Sequence, residues 1–499
     1  MRSAGILLPI FSLPGKYGIG CFSKEAYRFV DFLKEAHQTY WQILPLGPTG
    51  YGDSPYQTFS TFAGNPYFIS LEALIDEGLL SARECARLER GVDPKYIDYG
   101  RLYNERFAVL KKAYERWDPK KDPAYASFVK ENSDWLEDYA LFMAVKGHFK
   151  GVSFTLWDED IRYRKKQALS KYKKLLAGEI GFHKFLQHKF YQQWKALRAY
   201  ANEKGIRIIG DIPIYVSPDS SDLWAFPELF QVDKKRNLSA VAGCPPDAFC
   251  ADGQLWGNPL YDWEYHKSTG FAWWVSRVRK MSELYDVVRI DHFRGFDEYY
   301  SIPAGSQTAR NGEWEKGPGW DLFKVIREKL GKFDIIAEDL GFITPSVRAL
   351  VKKTGYCNMK VLEFAFDPDD THGKNEYLPH NYGPRCVVYT GTHDNETVAG
   401  WFSSMKKKDR DRVLSHLGLS TKKPPIVTEA LVRQALSSVA SYCIIPIQDY
   451  LCLGNEARIN HPSTLGGNWV WRLVPGQLEG QAERIAKLTD LYNRATEKK

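Results

Sequence analysis

Asp286-Val287-Val288-Arg289-Ile290-Asp291-His292 reads as a short strand that ends on a charged pair. Its Val and Ile side chains favour extended backbone, and apolar residues on both faces mark a strand buried on both sides. Seven other runs share this form, at residues 5–8, 40–44, 207–210, 334–337, 360–364, 385–389 and 442–446. Most are followed by a polar residue and then by helical periodicity or loop chemistry. Between the first two, Ser23 can cap a helix whose Ala26, Phe29, Val30, Leu33 and Ala36 form one apolar face. Eight doubly buried strands separated by helix-length segments predict an α/β fold, a closed (β/α)₈ TIM barrel, with a doubly wound parallel sheet as the competing arrangement. Two gaps exceed a simple crossover. Residues 45–206 read as mostly helical and 212–285 as loop-rich, and both are expected as insertions on the C-terminal, active-site face. With no internal repeat, low-complexity tract or flexible linker, residues 1–499 are expected to form one catalytic unit.

The composition, 44% hydrophobic and 26% charged, is that of an ordinary globular chain. Its 68 basic and 61 acidic residues are interspersed, and short runs such as Lys406-Lys407-Lys408 read as solvated helix faces. No basic block tracks a phosphate backbone, so nucleic acid is not expected as a partner. Eight cysteines without a CxxC pair predict neither a disulfide framework nor a zinc site. The apolar opening run at 4–10 is too short to span a bilayer, so no membrane association is expected and the location is read as cytoplasmic. Aromatic content is high, with 15 Trp, 29 Tyr and 27 Phe, many in Gly/Asn/Pro-rich stretches. Ordinary burial accounts for many of these rings. In loops, however, they suit a pyranose, which offers C–H groups on its face and hydroxyls at its rim.

In a barrel, polar residues beyond the strand ends converge on one mouth. After the fourth, fifth and seventh strands these are the carboxylates Asp291, Glu338 (in Ile336-Ala337-Glu338-Asp339) and Asp394 (in Thr392-His393-Asp394-Asn395). Each alone could cap the following helix. Together they supply what glycosidic cleavage needs, one carboxylate to attack the anomeric carbon and one carboxylic acid to protonate the departing oxygen. Arg289, two residues before Asp291, shares its side of the strand and is expected to keep it ionised, though a structural ion pair would look the same. His292 and His393 flank the carboxylates and could donate to sugar hydroxyls. The chain has no HExxH, no His-x-His after the first strand, no GxGxxG and no Walker loop, so no metal or other cofactor is expected.

Longer motifs carry a resemblance along nearly the whole chain. They are Gly50-Tyr51-Gly52-Asp53-Ser54-Pro55-Tyr56-Gln57, Gly64-Asn65-Pro66-Tyr67, Gly210-Asp211-Ile212-Pro213-Ile214-Tyr215-Val216, Pro245-Pro246-Asp247, Gly253-Gln254-Leu255-Trp256-Gly257-Asn258-Pro259 and Gly454-Asn455-Glu456-Ala457-Arg458-Ile459-Asn460-His461-Pro462, besides the three carboxylate motifs. With these the sequence resembles the 4-α-glucanotransferases of the amylomaltase, or disproportionating-enzyme, type, glycoside hydrolase family 77 of the α-amylase clan. The resemblance implies transfer between α-1,4-glucan donors and glucose or maltooligosaccharide acceptors, without a cofactor and with retention of configuration. It makes Asp291 the nucleophile, Glu338 the general acid/base and Asp394 the third acid. Substrate contacts are implied for Ser54, Tyr56, Asp211, Asp247, Trp256, Asn258, Arg289, His292, His393, Asn460 and Pro462, with Trp256 and Asn258 in one covering loop and Asn460 and Pro462 in another. An α-1,4-glucan hydrolase is the nearest alternative; a non-catalytic glucan-binding protein and a metal-dependent barrel hydrolase are more distant ones.

Overall fold

The computed structural model describes the chain apart from residues 1, 51, 247–250, 367–369, 371 and 496–499. In chain order the strands are β1 (Ser3–Leu7), β2 (Tyr40–Gln42), β3 (Arg207–Ile212), β4 (Ala240–Cys244), β5 (Gln254–Pro259), β6 (Val287–Ile290), β7 (Glu298–Pro303), β8 (Glu313–Lys316), β9 (Ile335–Ala337), β10 (Cys357–Val361), β11 (Cys386–Tyr389) and β12 (Tyr442–Pro446). Eight of them close a parallel barrel in the order β1-β12-β11-β10-β9-β6-β3-β2. The eight expected runs are these eight strands, and the closed barrel replaces the doubly wound alternative. The sixth run is displaced: residues 362–364, expected as strand, belong to the 3₁₀ turn Leu362–Phe366 beyond β10.

Alternation along each strand separates two cores. Leu7, Tyr40, Ile209, Val287, Ile336, Met359, Val387, Tyr389 and Ile444, with at least one residue from each of the eight strands, pack together inside the barrel. Residues of opposite parity, including Ile208, Val288, Ile290 and Ala337, join the larger core beneath the surrounding helices. The barrel is therefore filled, and the inward parity carries on past the strand ends into the mouth. At Gly210 the strand passes so close to Tyr285 that an added Cβ would lie 2.2 Å from its ring.

The helix Lys24–Glu35 buries Ala26, Phe29, Val30 and Leu33 as its spacing predicts, but the Ser23 side chain makes no capping bond. Between β2 and β3 the insertion is helical, with Tyr99–Arg116, Leu136–His148 and the long Ala177–Glu203 as its frame. The loop-rich expectation for 212–285 needs correction. That segment contains β4 and β5, which join β7 and β8 in a four-stranded antiparallel sheet of order β5-β4-β7-β8. Pro, Gly and Asp in the segment masked the pairing of β4 with β5 and with β7, whose residues lie 57 to 63 positions further on, at Gly243↔Tyr300 and Ala240↔Pro303. Among the described residues no helix is long and apolar enough to cross a membrane.

Candidate active site

Inward parity delivers the central residues. From Ile209, Val287 and Ile336 in the interior layer, steps of two reach Asp211 on β3, Arg289 and then Asp291 on and beyond β6, and Glu338 beyond β9. Register fixes their neighbours: Asp211 lies opposite Arg289 across β3 and β6, and Ile290 lies opposite Ala337 across β6 and β9. Asp291 and Glu338 thus leave adjacent strands side by side, and neighbouring strands are about 4.8 Å apart.

The buried guanidinium of Arg289 joins two carboxylates, with Nη1 2.6 Å from Asp211 Oδ2 and Nη2 3.0 Å from Asp291 Oδ1. The Glu338 carboxylate is held by backbone. Its Oε2 accepts the His292 N–H at 2.6 Å and its Oε1 the Leu340 N–H at 2.8 Å. Burial pushes Glu338 up to about 8, assisted by the charge of Asp291 and opposed by Arg289 and the two N–H donors. Arg289, expected from the sequence to keep Asp291 ionised, does favour its charged form, but it is not the largest influence on that carboxyl. Burial outweighs the guanidinium and, with Asp211 and Asp394 nearby, raises Asp291 to about 6. The order is what matters chemically: near neutrality Asp291 is ionised while Glu338 keeps its proton. Burial works against the charge on Arg289, but Asp211 and Asp291 overcome it and hold the group well above its usual value.

Asp394 stands further round the ring of strand ends, in the turn after β11, two strands from β9. Asn395 Oδ1 accepts from the Thr392 N–H (2.9 Å) and hydroxyl (2.8 Å), shaping that turn. Asn460 Nδ2 donates to Asp394 Oδ1 at 2.7 Å, and His393 Nε2 lies 3.3 Å from Asp394 Oδ2. The Tyr56 hydroxyl donates to Asp211 Oδ2 at 2.7 Å and lies 2.9 Å from His393 Nε2, tying the two sides of the mouth together. His292 adopts a left-handed conformation (φ 48°) and sets its ring edge-on to Trp256, 4.7 Å between centroids. Its buried Nε2 has no protein partner, and burial lowers the imidazole to about 3, so it is neutral.

Other expected contacts sit differently. Asn258 lies in β5, not in an open loop, and its buried amide donates to Val216 O (2.7 Å) and accepts from Gln57 Nε2 (3.1 Å). It braces the Tyr56 segment against the antiparallel sheet. Trp256 occupies the same strand and donates to Gln254 Oε1 at 3.0 Å. The Ser54 hydroxyl accepts the Tyr56 N–H at 3.3 Å and so shapes the turn that presents Tyr56. Pro462 is exposed on the loop that Asn460 opens. Asp247 lies outside the described residues.

Three neighbours of the site went unrecognised in the sequence. Arg458 donates to the Asp394 carbonyl at 2.8 Å. Trp469 packs on Tyr56 and His393 with centroids 5.9 and 6.0 Å away. Glu363 follows β10 and is pushed well above the carboxylate range by burial and by Asp449 and Glu396. Only Glu363 carried a signal, since parity from Met359 reaches it once β10 ends at Val361.

A closed (β/α)₈ barrel with an ionised Asp, a protonated Glu and a third carboxylate at its mouth, walled by aromatic rings, defines a barrel enzyme of glycosidic-bond chemistry. Sequence and structural relatives narrow this class. The profile of the 4-alpha-glucanotransferase family matches residues 8–477, and the chain belongs to that family. It is 49% identical to the 4-alpha-glucanotransferase of Clostridium butyricum over 488 residues, 97% of this chain and 99% of that protein. It is 48% identical over 499 residues to a 4-alpha-glucanotransferase of Streptococcus pneumoniae, covering 99% and 98%. The solved amylomaltase from Streptococcus agalactiae, in complex with acarbose, superposes with a TM-score of 0.96 at 42% identity, covering 99% of this chain and all of that one.

Proposed function

We propose that this chain, working as one catalytic unit over 1–499, moves segments of α-1,4-glucan by double displacement through Asp291 and Glu338. Glu338 gives its proton to the glycosidic oxygen as Asp291 attacks the anomeric carbon. The carbon–oxygen bond breaks, the reducing-end fragment leaves with a new 4-hydroxyl, and the donor stays esterified to Asp291. Glu338, now a base, takes the proton of an acceptor's 4-hydroxyl as that oxygen displaces Asp291. Two inversions retain the α configuration. Asp394, with His393, binds the sugar at the cleavage point, Tyr56 and Trp256 offer it apolar faces, and Arg289 keeps Asp291 the stronger acid of the pair. The remaining expected contacts divide by geometry. His292, with its unpaired buried nitrogen, serves as a donor to sugar, whereas Ser54, Asp211, Asn258 and Asn460 act through the residues they hold. Pro462 is assigned to the outer wall of the glucan groove, and Asp247, outside the described residues, keeps the substrate contact that the resemblance implies.

The observation that carries this reading is the placement of Asp291 and Glu338 at the ends of paired neighbouring strands, where burial and the charge of Asp291 favour the protonated form of Glu338. Strand spacing of about 4.8 Å favours the short separation, about 5–5.5 Å, of retaining enzymes over the wider gap that lodges a water in inverting ones. Donors are α-1,4-glucans and acceptors are glucose or maltooligosaccharides. The buried free thiols of Cys21, Cys85, Cys386 and Cys443 suit a reducing, cytoplasmic location.

The test is incubation with maltotriose in chelator, following the product ladder and free reducing ends, beside Asp291→Asn. Longer maltooligosaccharides without net gain of reducing ends, lost in the variant, are the expected result. Net reducing ends without longer products would make the chain a hydrolase.

A further inference from the structure

Trp469 is a large aromatic residue in the left-handed region, at φ 63°, with its side chain buried. This conformation is strained for a bulky residue and persists only where its surroundings over-determine it. Two bonds fix it here. The Trp469 N–H donates to Ile459 O at 2.7 Å, and the Tyr99 hydroxyl donates to Trp469 O at 2.9 Å.

The first of these bonds closes the base of a loop, 460–468, which His461 N–H to Asn468 Oδ1 (2.9 Å) zips further. The chain enters the loop gripping the site, with Asn460 N–H on His393 O (3.1 Å) and its amide on Asp394. It leaves through Trp469, whose ring wedges against Tyr56 and His393. Those two rings are stacked with nearly parallel planes, 12° apart, and the Tyr56 hydroxyl bridges His393 and Asp211. Loop closure alone does not account for an aromatic residue at this turn. Glycine adopts positive φ without strain, as Gly466 (φ 80°) and Gly467 (φ 73°) do just before it. The strained position holds a Trp because its ring is needed.

We infer that Trp469 is a positioning residue of the transfer reaction: its ring sets the orientation of Tyr56 and His393, and through them the seat of the sugar at the cleavage point. The inference rests on the function proposed above. A misplacement of these groups by about 1 Å lowers turnover by up to about a hundredfold while leaving most of the binding surface intact.

The experiment compares wild type, Trp469→Gly and Trp469→Phe in maltotriose disproportionation, with melting temperatures measured beside kcat and KM. Glycine suits the backbone but removes the ring; phenylalanine keeps an aromatic wedge. Expected are a kcat for the Gly variant about tenfold to a hundredfold below wild type with KM changed less than about threefold, and recovery to within about fivefold in the Phe variant. A folded Gly variant with wild-type kcat, or a Phe variant no better than Gly, overturns the inference. Should the Gly variant not fold, Tyr99→Phe removes only the anchor. A kcat lowered at unchanged KM is then expected, and a wild-type kcat overturns the inference. If wild type itself forms no product ladder, it is the proposed function that fails.

Discussion

The carboxylate of Glu338 accepts the backbone N–H of His292, the residue that follows Asp291, at 2.6 Å. One peptide therefore links nucleophile and acid candidates, and a shift of either strand end moves both. It also exposes each carboxylate to the charge of the other, so the protonation of one governs the other.

The pH profile should follow from this pairing. Asp291 must be ionised to attack, so activity is present above about 6 and lost as pH falls through it. Glu338 must hold its proton, so activity is lost as pH rises through about 8. A bell-shaped kcat/KM between these limits is expected from initial rates of maltotriose disproportionation. A profile flat across the alkaline limb would remove Glu338 as the acid.

Arg289→Lys should move the acid limb upward. Lysine keeps a charge but not the planar fork that reaches Asp211 and Asp291 together, at 2.6 and 3.0 Å. Arg289 lowers the Asp291 pKa, so its weakening raises it, and half-maximal activity shifts to higher pH. The same rate measurements should show kcat reduced on the order of tenfold to a hundredfold.

Much of this geometry was legible because a strand has a period of two. The doubly buried runs announced a barrel, and Asp291 and Glu338 fall directly beyond β6 and β9. Asp394 comes five residues after Tyr389, where parity no longer applies, and only its place in the loop beyond the seventh strand picked it out. The strand β4 was hidden because antiparallel pairing with distant β7 leaves no local pattern, and β5, which pairs with β4 alone, was hidden by its own Gly, Asn and Pro. Trp469 was illegible for a related reason: its role depends on a loop closure and a backbone angle, neither of which periodicity encodes.

Glu338→Gln should stabilise the fold while abolishing transfer. A carboxyl at about 8 in the folded chain, against 4.5 ordinarily, is bound to its proton more tightly when folded. That contribution to stability is fully present below about 4.5 and is lost as pH rises through about 8. The amide mimics the protonated acid and does not titrate. Its advantage should open above the lower limit and reach on the order of a few kcal/mol near the upper. Denaturant unfolding of both proteins at acid and mildly alkaline pH checks this; an advantage independent of pH would contradict it.

Asn460→Ala should shift the balance from transfer toward hydrolysis. The amide of Asn460 holds Asp394 at 2.7 Å and is lost in the variant, while its backbone N–H to His393 O survives, so the loop 460–468 keeps only one of these two fastenings to the site. A loosened loop admits water to the esterified Asp291, where an acceptor hydroxyl must otherwise compete, and exclusion of water is what favours transfer. The reducing ends released per transfer event should rise several-fold, while kcat for disproportionation falls about tenfold as Asp394 loses its orientation. Both are read from one maltotriose incubation. If kcat falls with the ratio unchanged, Asn460 only orients Asp394, and the exclusion of water must come from the Trp256 side of the mouth.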